Sequence, residues 1–89
     1  MKVGEIRRIV QETFGKSWQP GAARVFVRGG EIIVRRDGQS FRIEDDARHM
    51  ADELAIRGVE GTPRISWVTR GVHSFQVVDV VISREVTQP

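Results

Sequence analysis

Few side chains in this sequence are of the types that do acid–base, metal or nucleophilic chemistry. The chain has no cysteine and two histidines, His49 and His73. His49 and Glu53 are four residues apart in a predicted helix, a spacing that can turn two metal ligands to one side. A third ligand is missing there, and polar residues at this spacing are typical of a solvated helix surface. The sequence therefore predicts no metal site.

Motifs of known catalytic sites are not matched either. Residues 15–17, Gly-Lys-Ser, end like a phosphate-binding P-loop, but Val10 stands where the first glycine belongs, and a helix, not a strand, is predicted before it. Ser74 adjoins His73, yet strand neighbours point to opposite faces, and the Gly-x-Ser-x-Gly elbow is absent. We expect no catalytic residue and no cofactor, which favours a binding protein over an enzyme.

The charge balance argues against a dedicated nucleic-acid binder. Fourteen basic residues against twelve acidic ones give a net charge of +2. Twelve of the basic residues are arginines, and the chain lacks asparagine and tyrosine, a bias that a GC-rich genome also produces. Specific binding of nucleic acid is therefore not expected.

Length and hydropathy predict one domain that does not enter a membrane. At 89 residues the chain suffices for a single domain, 1–89, with a frayed tail at 87–89. Apolar runs cover four or five residues, whereas about 20 are needed to span a bilayer. Charges near the N-terminus do not suit a signal peptide. Without cysteine for disulfides, a cytoplasmic location is expected.

The clearest structural signal is a set of three short strands between residues 22 and 43. The runs 22–28, 31–36 and 39–43 are rich in Val, Ile, Phe and Arg, and the dipeptides at 29–30 (Gly-Gly) and 37–38 (Asp-Gly) separate them. Both dipeptides suit two-residue type I′ or II′ turns, because glycine tolerates positive φ. This pattern predicts a three-stranded antiparallel meander.

Two helices and two more strands are predicted around the meander. Apolar residues recur every three or four positions in residues 3–14, and a second helix opens at the acids 44–46 and stops at Gly58. Residues 64–70 and 73–86 alternate as strands around a turn at Gly71. The predicted order α-β-β-β-α-β-β gives an α+β two-layer sandwich, a mainly antiparallel sheet with both helices on one face.

Alternation along the strands sorts their side chains onto two faces of the sheet. The set expected to face the helices is apolar: Val25, Val27, Ile32, Val34, Phe41, Ile43, Val78, Val80 and Ile82. The opposite set mixes arginines with apolar residues: Arg24, Phe26, Arg28, Ile33, Arg35, Ser40, Arg42, Phe75, Val77, Asp79 and Val81. Trp67 fits either set, and its bulk favours the core. An apolar area flanked by charge is typical of a partner surface.

Two residues differ from their surroundings. Asp79 interrupts an apolar strand, and because an unpaired buried carboxylate is costly, we expect it to be exposed or paired with an arginine. The arginines considered are Arg24, Arg28, Arg35 and Arg42. Trp18, in the loop 16–21, is expected to fold back onto the core, with stacking on a ligand as the alternative.

These patterns predict a small non-enzymatic binding module that holds a protein partner or a small ligand. We expect it to form a homo-oligomer through the second sheet face. The predicted binding residues are Arg24, Phe26, Arg28, Arg35, Arg42, Phe75, Val77, Asp79 and Val81, with Trp18 as a loop contact. One alternative is a nucleic-acid binder whose arginines meet phosphates while Phe26 or Phe75 stacks on bases. A second is a small enzyme using His73 and Asp79 in a cleft between subunits.

Overall fold

The computed structural model describes residues 2–15, 23–37 and 42–83. The elements in chain order are helix α1 (Val3–Phe14), strands β1 (Arg24–Arg28) and β2 (Glu31–Asp37), helix α2 (Ile43–Ile56), and strands β3 (Thr62–Arg70) and β4 (His73–Ser83). The strands form one antiparallel sheet in the order β1-β2-β4-β3. The predicted α+β class, with both helices on one face of an antiparallel sheet, is confirmed.

The predicted order of elements is wrong at one place, the end of the meander. Ile43 is the first residue of α2 and Arg42 is its N-cap, so neither belongs to a third meander strand. The described order is therefore α-β-β-α-β-β. Ile43 packs against the core from the helix, and a short apolar run does not tell a helix start from a strand. The second residue of the predicted Asp-Gly turn lies outside the described ranges, as do Ser40 and Phe41.

Both hairpins close with two-residue loops, at residues 29–30 and 71–72. The first loop residue is glycine with positive φ in each case, +60° at Gly29 and +62° at Gly71. The second residue has no positive φ, which is the type II′ pattern. The predicted turn at Gly29 is confirmed. The two residues that flank a two-residue loop form a hydrogen-bonded pair. Because hydrogen-bonded and non-hydrogen-bonded pairs alternate along antiparallel strands, each loop determines which pairs of its hairpin are hydrogen-bonded.

The hydrophobic core lies between the sheet and the helices. Its buried members are Ile6, Val10, Phe14, Ile32, Val34, Ala47, Met50, Ala51, Leu54, Val59, Val78 and Val80. They include Ile32, Val34, Val78 and Val80, which alternation assigned to the helix side, and Ile82 of the same set is partly buried against them. In the part of the chain that the structure describes, no helix is long and apolar enough to cross a bilayer.

Trp67 does not join this core, so the expectation drawn from its bulk is wrong. It lies on the helix side of β3, opposite Gln76, yet 67% of its surface is exposed. The last pair between β2 and β4 is Asp37 with Val77. Trp67 therefore lies where the described sheet has narrowed to the β3–β4 hairpin, and its side chain is not covered there.

Candidate functional site

The candidate site is the sheet face turned away from the core, called the outer face below. According to the strand register, the outer face carries the odd-numbered residues of β2 and β4 and the even-numbered residues of β1 and β3. They are Arg24, Phe26, Arg28, Glu31, Ile33, Arg35, Asp37, Thr62, Arg64, Ser66, Val68, Arg70, His73, Phe75, Val77, Asp79, Val81 and Ser83. The alternation predicted for the second face is therefore right along β1, β2 and β4.

A row of charged residues crosses all four strands on this face. Arg24 lies opposite Arg35, Arg35 opposite Asp79, and Asp79 opposite Arg64. Asp79 is completely buried, and its carboxylate accepts hydrogen bonds from Arg35 Nε at 2.7 Å and Arg35 Nη2 at 3.0 Å. Its Oδ2 also accepts from Arg64 Nη2 at 3.2 Å and Ser66 Oγ at 3.0 Å. The predicted pairing of Asp79 with an arginine is confirmed.

The sheet register explains why Arg35 holds Asp79 with two nitrogens. Hydrogen-bonded pairs between β2 and β4 are the even-numbered ones, such as Val34 with Val80, so Arg35 and Asp79 form a non-hydrogen-bonded pair. Such pairs bring the two Cα atoms to about 4.5 Å, closer than the about 5.5 Å of bonded pairs. A planar guanidinium at that range binds a carboxylate with two parallel N–H groups.

The protonation of this pair is fixed by its surroundings. Burial by itself would raise the pKa of Asp79, but the hydrogen bonds from Arg35 and Arg64, the charge of Arg35 and the Ser66 hydroxyl outweigh it and hold the pKa below its ordinary value. The hydrogen bond with Asp79 raises the pKa of Arg35, against the opposing effect of burial. Asp79 is therefore a carboxylate near neutral pH and is unsuited to donating a proton there.

Arginines also lie over the phenylalanine rings of the outer face. The guanidinium carbons of Arg28 and Arg35 lie 5.3 Å and 5.0 Å from the centre of the Phe26 ring. The guanidinium carbon of Arg70 lies 5.4 Å from the centre of the Phe75 ring. These distances are within the range of cation–π attraction. Among the described residues, no carboxylate is within ion-pair distance of Arg28 or Arg70. Within the described ranges, their charge is therefore not neutralised by a carboxylate.

The predicted binding residues differ in their access to a partner. Arg24 and Arg28 are exposed, Phe26, Phe75 and Val81 are partly buried, and Arg35, Val77 and Asp79 are buried. Ile33 on the same face is also buried, so the apolar patch that a partner can reach is smaller than the alternation indicates.

Two predicted residues are not placed on this face. Arg42 caps α2, where its Nη1 lies 4.0 Å from Asp45 Oδ2, so its assignment to the sheet is wrong. The error follows from reading residues 39–43 as a strand. Trp18 lies outside the described residues.

Arg64 and Ser66 both donate hydrogen bonds to Asp79, and sequence reasoning missed both residues. A usable signal was present at Gly71, because a two-residue loop there puts Arg70 opposite His73. Counting back along both strands then places Arg64 opposite Asp79. Arg64 also lies 3.9 Å from Glu31 through Nη1 and Oε1. It borders an open depression of about 330 Å³ lined by Glu31, Thr62, Pro63, Arg64, Val81 and Ser83.

The two residues considered for a small enzyme, His73 and Asp79, do not meet within one chain. His73 and Asp79 are on the same strand, six residues and therefore about 20 Å apart. Within the described residues, no group of three or more His, Cys, Asp or Glu side chains could hold a metal ion.

Comparison of the chain with known protein families, with curated proteins and with solved structures finds no match. Functional information therefore comes from the chemistry of the outer face.

Proposed function

We propose that this protein is a non-enzymatic binding module whose outer face holds a protein partner carrying acidic and apolar groups. The supporting observation is the arrangement of Arg28 and Arg70. Each guanidinium lies over a partly buried phenylalanine ring, and neither has a carboxylate partner among the described residues. Such a pair offers a charge and an apolar surface at one place, as protein interfaces rich in Arg and Phe do.

The charged row prepares this surface for binding. Asp79 forms ion pairs with Arg35 and Arg64. The exposed Arg24 and Arg28 lie on the edge strand β1, next to β2. Because Arg35 is held by both Asp79 and the Phe26 ring, Phe26 is supported in a fixed position before any partner arrives. Groups ordered in advance lose less conformational entropy on binding.

Self-association through this face, expected from the sequence, has less apolar surface available than predicted. Val77 and Asp79 are fully buried within one chain. Contact between copies on this face would depend on Phe26, Phe75 and Val81. The cytoplasmic location stays a prediction.

A defined acidic peptide tests the proposal. We expect a fluorescein-labelled peptide of alternating Glu and Phe to bind the wild-type protein in fluorescence anisotropy at about 0.15 M salt, where the Debye length is about 8 Å. The double variant R28E/R70E should bind at least about tenfold more weakly, a loss of about 1.4 kcal/mol. The matched control R7E/R8E makes the same charge change at two exposed positions of α1 and should leave binding within about twofold of wild type. Equal losses in both variants would show unspecific attraction and contradict the proposal.

A single-stranded nucleic acid is a second candidate partner, favoured by the same Arg–Phe contacts because bases stack on aromatic rings and guanidinium planes. Glu31 and Asp37 on the same face oppose it. Tighter binding of a single-stranded oligonucleotide than of the peptide, with the same dependence on R28E/R70E, would favour this candidate.

A further inference from the structure

We infer that the free edge of β3 pairs antiparallel with β3 of a second copy of this chain, which joins two sheets into one of eight strands, with Ser66 opposite the partner's Ser66. The interface uses the edge of the sheet and leaves the outer face open, so it goes beyond the binding function proposed above. Three observations carry it: the free backbone groups of the edge, its charge pattern and an exposed tryptophan.

The backbone of β3 presents unpaired groups along its free side. Since Arg70 and His73 close a two-residue loop, the even-numbered residues of β3 bond to β4 and the odd-numbered ones point outward. Ile65, Trp67 and Thr69 therefore direct their N–H and C=O groups away from the sheet, and no described backbone group pairs with them. Pro63, which has no N–H, also occupies an outward position, the one orientation that a strand tolerates for proline.

The opposite edge of the sheet lacks these properties. β1 has five residues against nine in β3, and only Val25 and Val27 point outward. Arginines are exposed on both edge strands, Arg24 and Arg28 in β1 and Arg64 and Arg70 in β3, so length separates the two edges and charge does not. Short edges resist pairing with other chains, whereas a long edge without a bulge invites it. β3 continues in register with β4 from Thr62 to Arg70 without a bulge.

The charge pattern selects one register. With Ser66 on the two-fold axis, Arg64 faces the partner's Val68 and Ile65 faces the partner's Trp67, an aromatic pair with a β-branched residue that stabilises sheets. With Trp67 on the axis, Arg64 would face the partner's Arg70 twice, and like charges directly opposite are destabilising. With Ile65 on the axis, Trp67 would face the partner's Pro63, and the pair of Trp67 with Ile65 would be lost. In this register and in the Ser66 register alike, Pro63 leaves one facing carbonyl without an N–H donor.

This pairing covers the exposed Trp67 and accommodates the helices. Trp67 is 67% exposed, and Ile65 beside it is partly buried. A two-fold axis normal to the sheet leaves both α2 helices on the same face. Because α2 packs over β3 and β4, and strands are about 4.8 Å apart, the two α2 helices come to about 10 Å, the ordinary separation of packed helices.

The chain's lack of cysteine permits a direct test of the register. Ser66 and the partner's Ser66 would form a non-hydrogen-bonded pair with Cα atoms about 4.5 Å apart, a distance that a disulfide spans. We expect Ser66→Cys to oxidise to a covalent dimer, whereas Thr69→Cys on the same edge stays monomeric in denaturing gels. A monomer for both, or equal dimer for both, would overturn the register.

Light scattering coupled to size exclusion tests the interface itself. Wild type at about 50 μM should have twice the 10.1 kDa chain mass. Trp67→Lys should shift it to monomer while Val72→Lys, the same change at a 92% exposed turn residue, leaves the dimer intact. Circular dichroism confirms that both variants fold. A monomeric wild type, or a Trp67→Lys variant that stays dimeric, would overturn the proposal. Peptide binding that persists in monomeric Trp67→Lys shows that the two proposals are independent.

Discussion

Arg35 and Asp79 are joined by two hydrogen bonds of 2.7 and 3.0 Å across strands β2 and β4, and both side chains are buried. β2 belongs to one hairpin and β4 to the other, so this pair ties together two separately connected halves of the sheet. An ion pair in this position contributes less through its net attraction than through the penalty for losing one member, since the other charge would then be buried alone.

Removal of the Asp79 charge should destabilise the fold strongly. We expect Asp79→Asn to lower the free energy of unfolding by about 3–5 kcal/mol, because Arg35 would keep a buried charge without its counter-ion. Arg64→Ala should cost about 1 kcal/mol or less, since the Arg64 side chain is 42% exposed and Arg35 remains to satisfy the carboxylate. Urea denaturation followed by circular dichroism measures both. Asp45→Asn is the matched control, an exposed acid with two long ion pairs to arginine, and similar midpoints for it and Asp79→Asn would contradict the prediction.

The lowered pKa of Asp79 predicts how stability depends on pH. The folded protein binds the Asp79 proton less readily than the unfolded chain, whose carboxyl has the ordinary value of 3.8. The stabilisation is therefore complete above that value and is lost as pH falls below it, through the lower pKa of the folded state. Urea titrations between about pH 6 and 2.5 should show wild type losing more stability than Asp79→Asn. Parallel pH profiles for the two proteins would show that Asp79 makes no such contribution.

The orientation of β4 can be tested in the core. Val80 is completely buried on the helix side, so Val80→Asp should unfold the domain, because an unpaired charge in the core costs several kcal/mol of a small total stability. Arg8 is exposed on α1, and Arg8→Ala should change the unfolding free energy by less than about 0.5 kcal/mol. Both are measured by chemical denaturation. A Val80→Asp midpoint near that of wild type would be incompatible with the described register.

Nucleic-acid binding should be weak and sensitive to salt. The net charge is only +2, and Arg35 and Arg64 are engaged with Asp79, so few cations can displace counter-ions from phosphates. Anisotropy with duplex and single-stranded oligonucleotides at about 0.15 M salt should give dissociation constants above about 1 μM. Submicromolar affinity that is lost in Arg28→Glu would instead identify the outer face as a nucleic-acid platform.

Much of the fold follows from local sequence signals. The spacing of Ile6, Val10 and Phe14 predicts α1, and Gly29 at a two-residue turn predicts the first hairpin, because these signals act over a few residues. The segment around Ile43 could not be assigned, since an apolar residue beside acids suits a helix start as well as a strand.

The site was less accessible from the sequence, because it depends on which strands are neighbours. Alternation assigned Arg35 and Asp79 to one face, and the cost of a buried carboxylate predicted that Asp79 takes an arginine. That Arg64 shares the same carboxylate depends on β4 lying between β2 and β3, a long-range arrangement that no local pattern encodes. The burial of Val77 depends on the same arrangement.

The strand order β1-β2-β4-β3 also has a kinetic consequence. Each hairpin pairs residues that are close in sequence, and such contacts form within microseconds. The β2–β4 contact joins residues as far apart in sequence as Arg35 and Asp79, so a long loop must close before it can form. We therefore expect both hairpins to form quickly and the pairing of β2 with β4 to be the slower step. Helix α2 follows β2 in the chain and packs over β3 and β4, so it brings the two halves of the sheet together. In stopped-flow refolding, a substitution that destabilises the tip of either hairpin should slow folding, because that contact forms before the slow encounter. A substitution at the Arg35–Asp79 contact should slow folding only as far as the pair is formed in that encounter, and should otherwise speed unfolding.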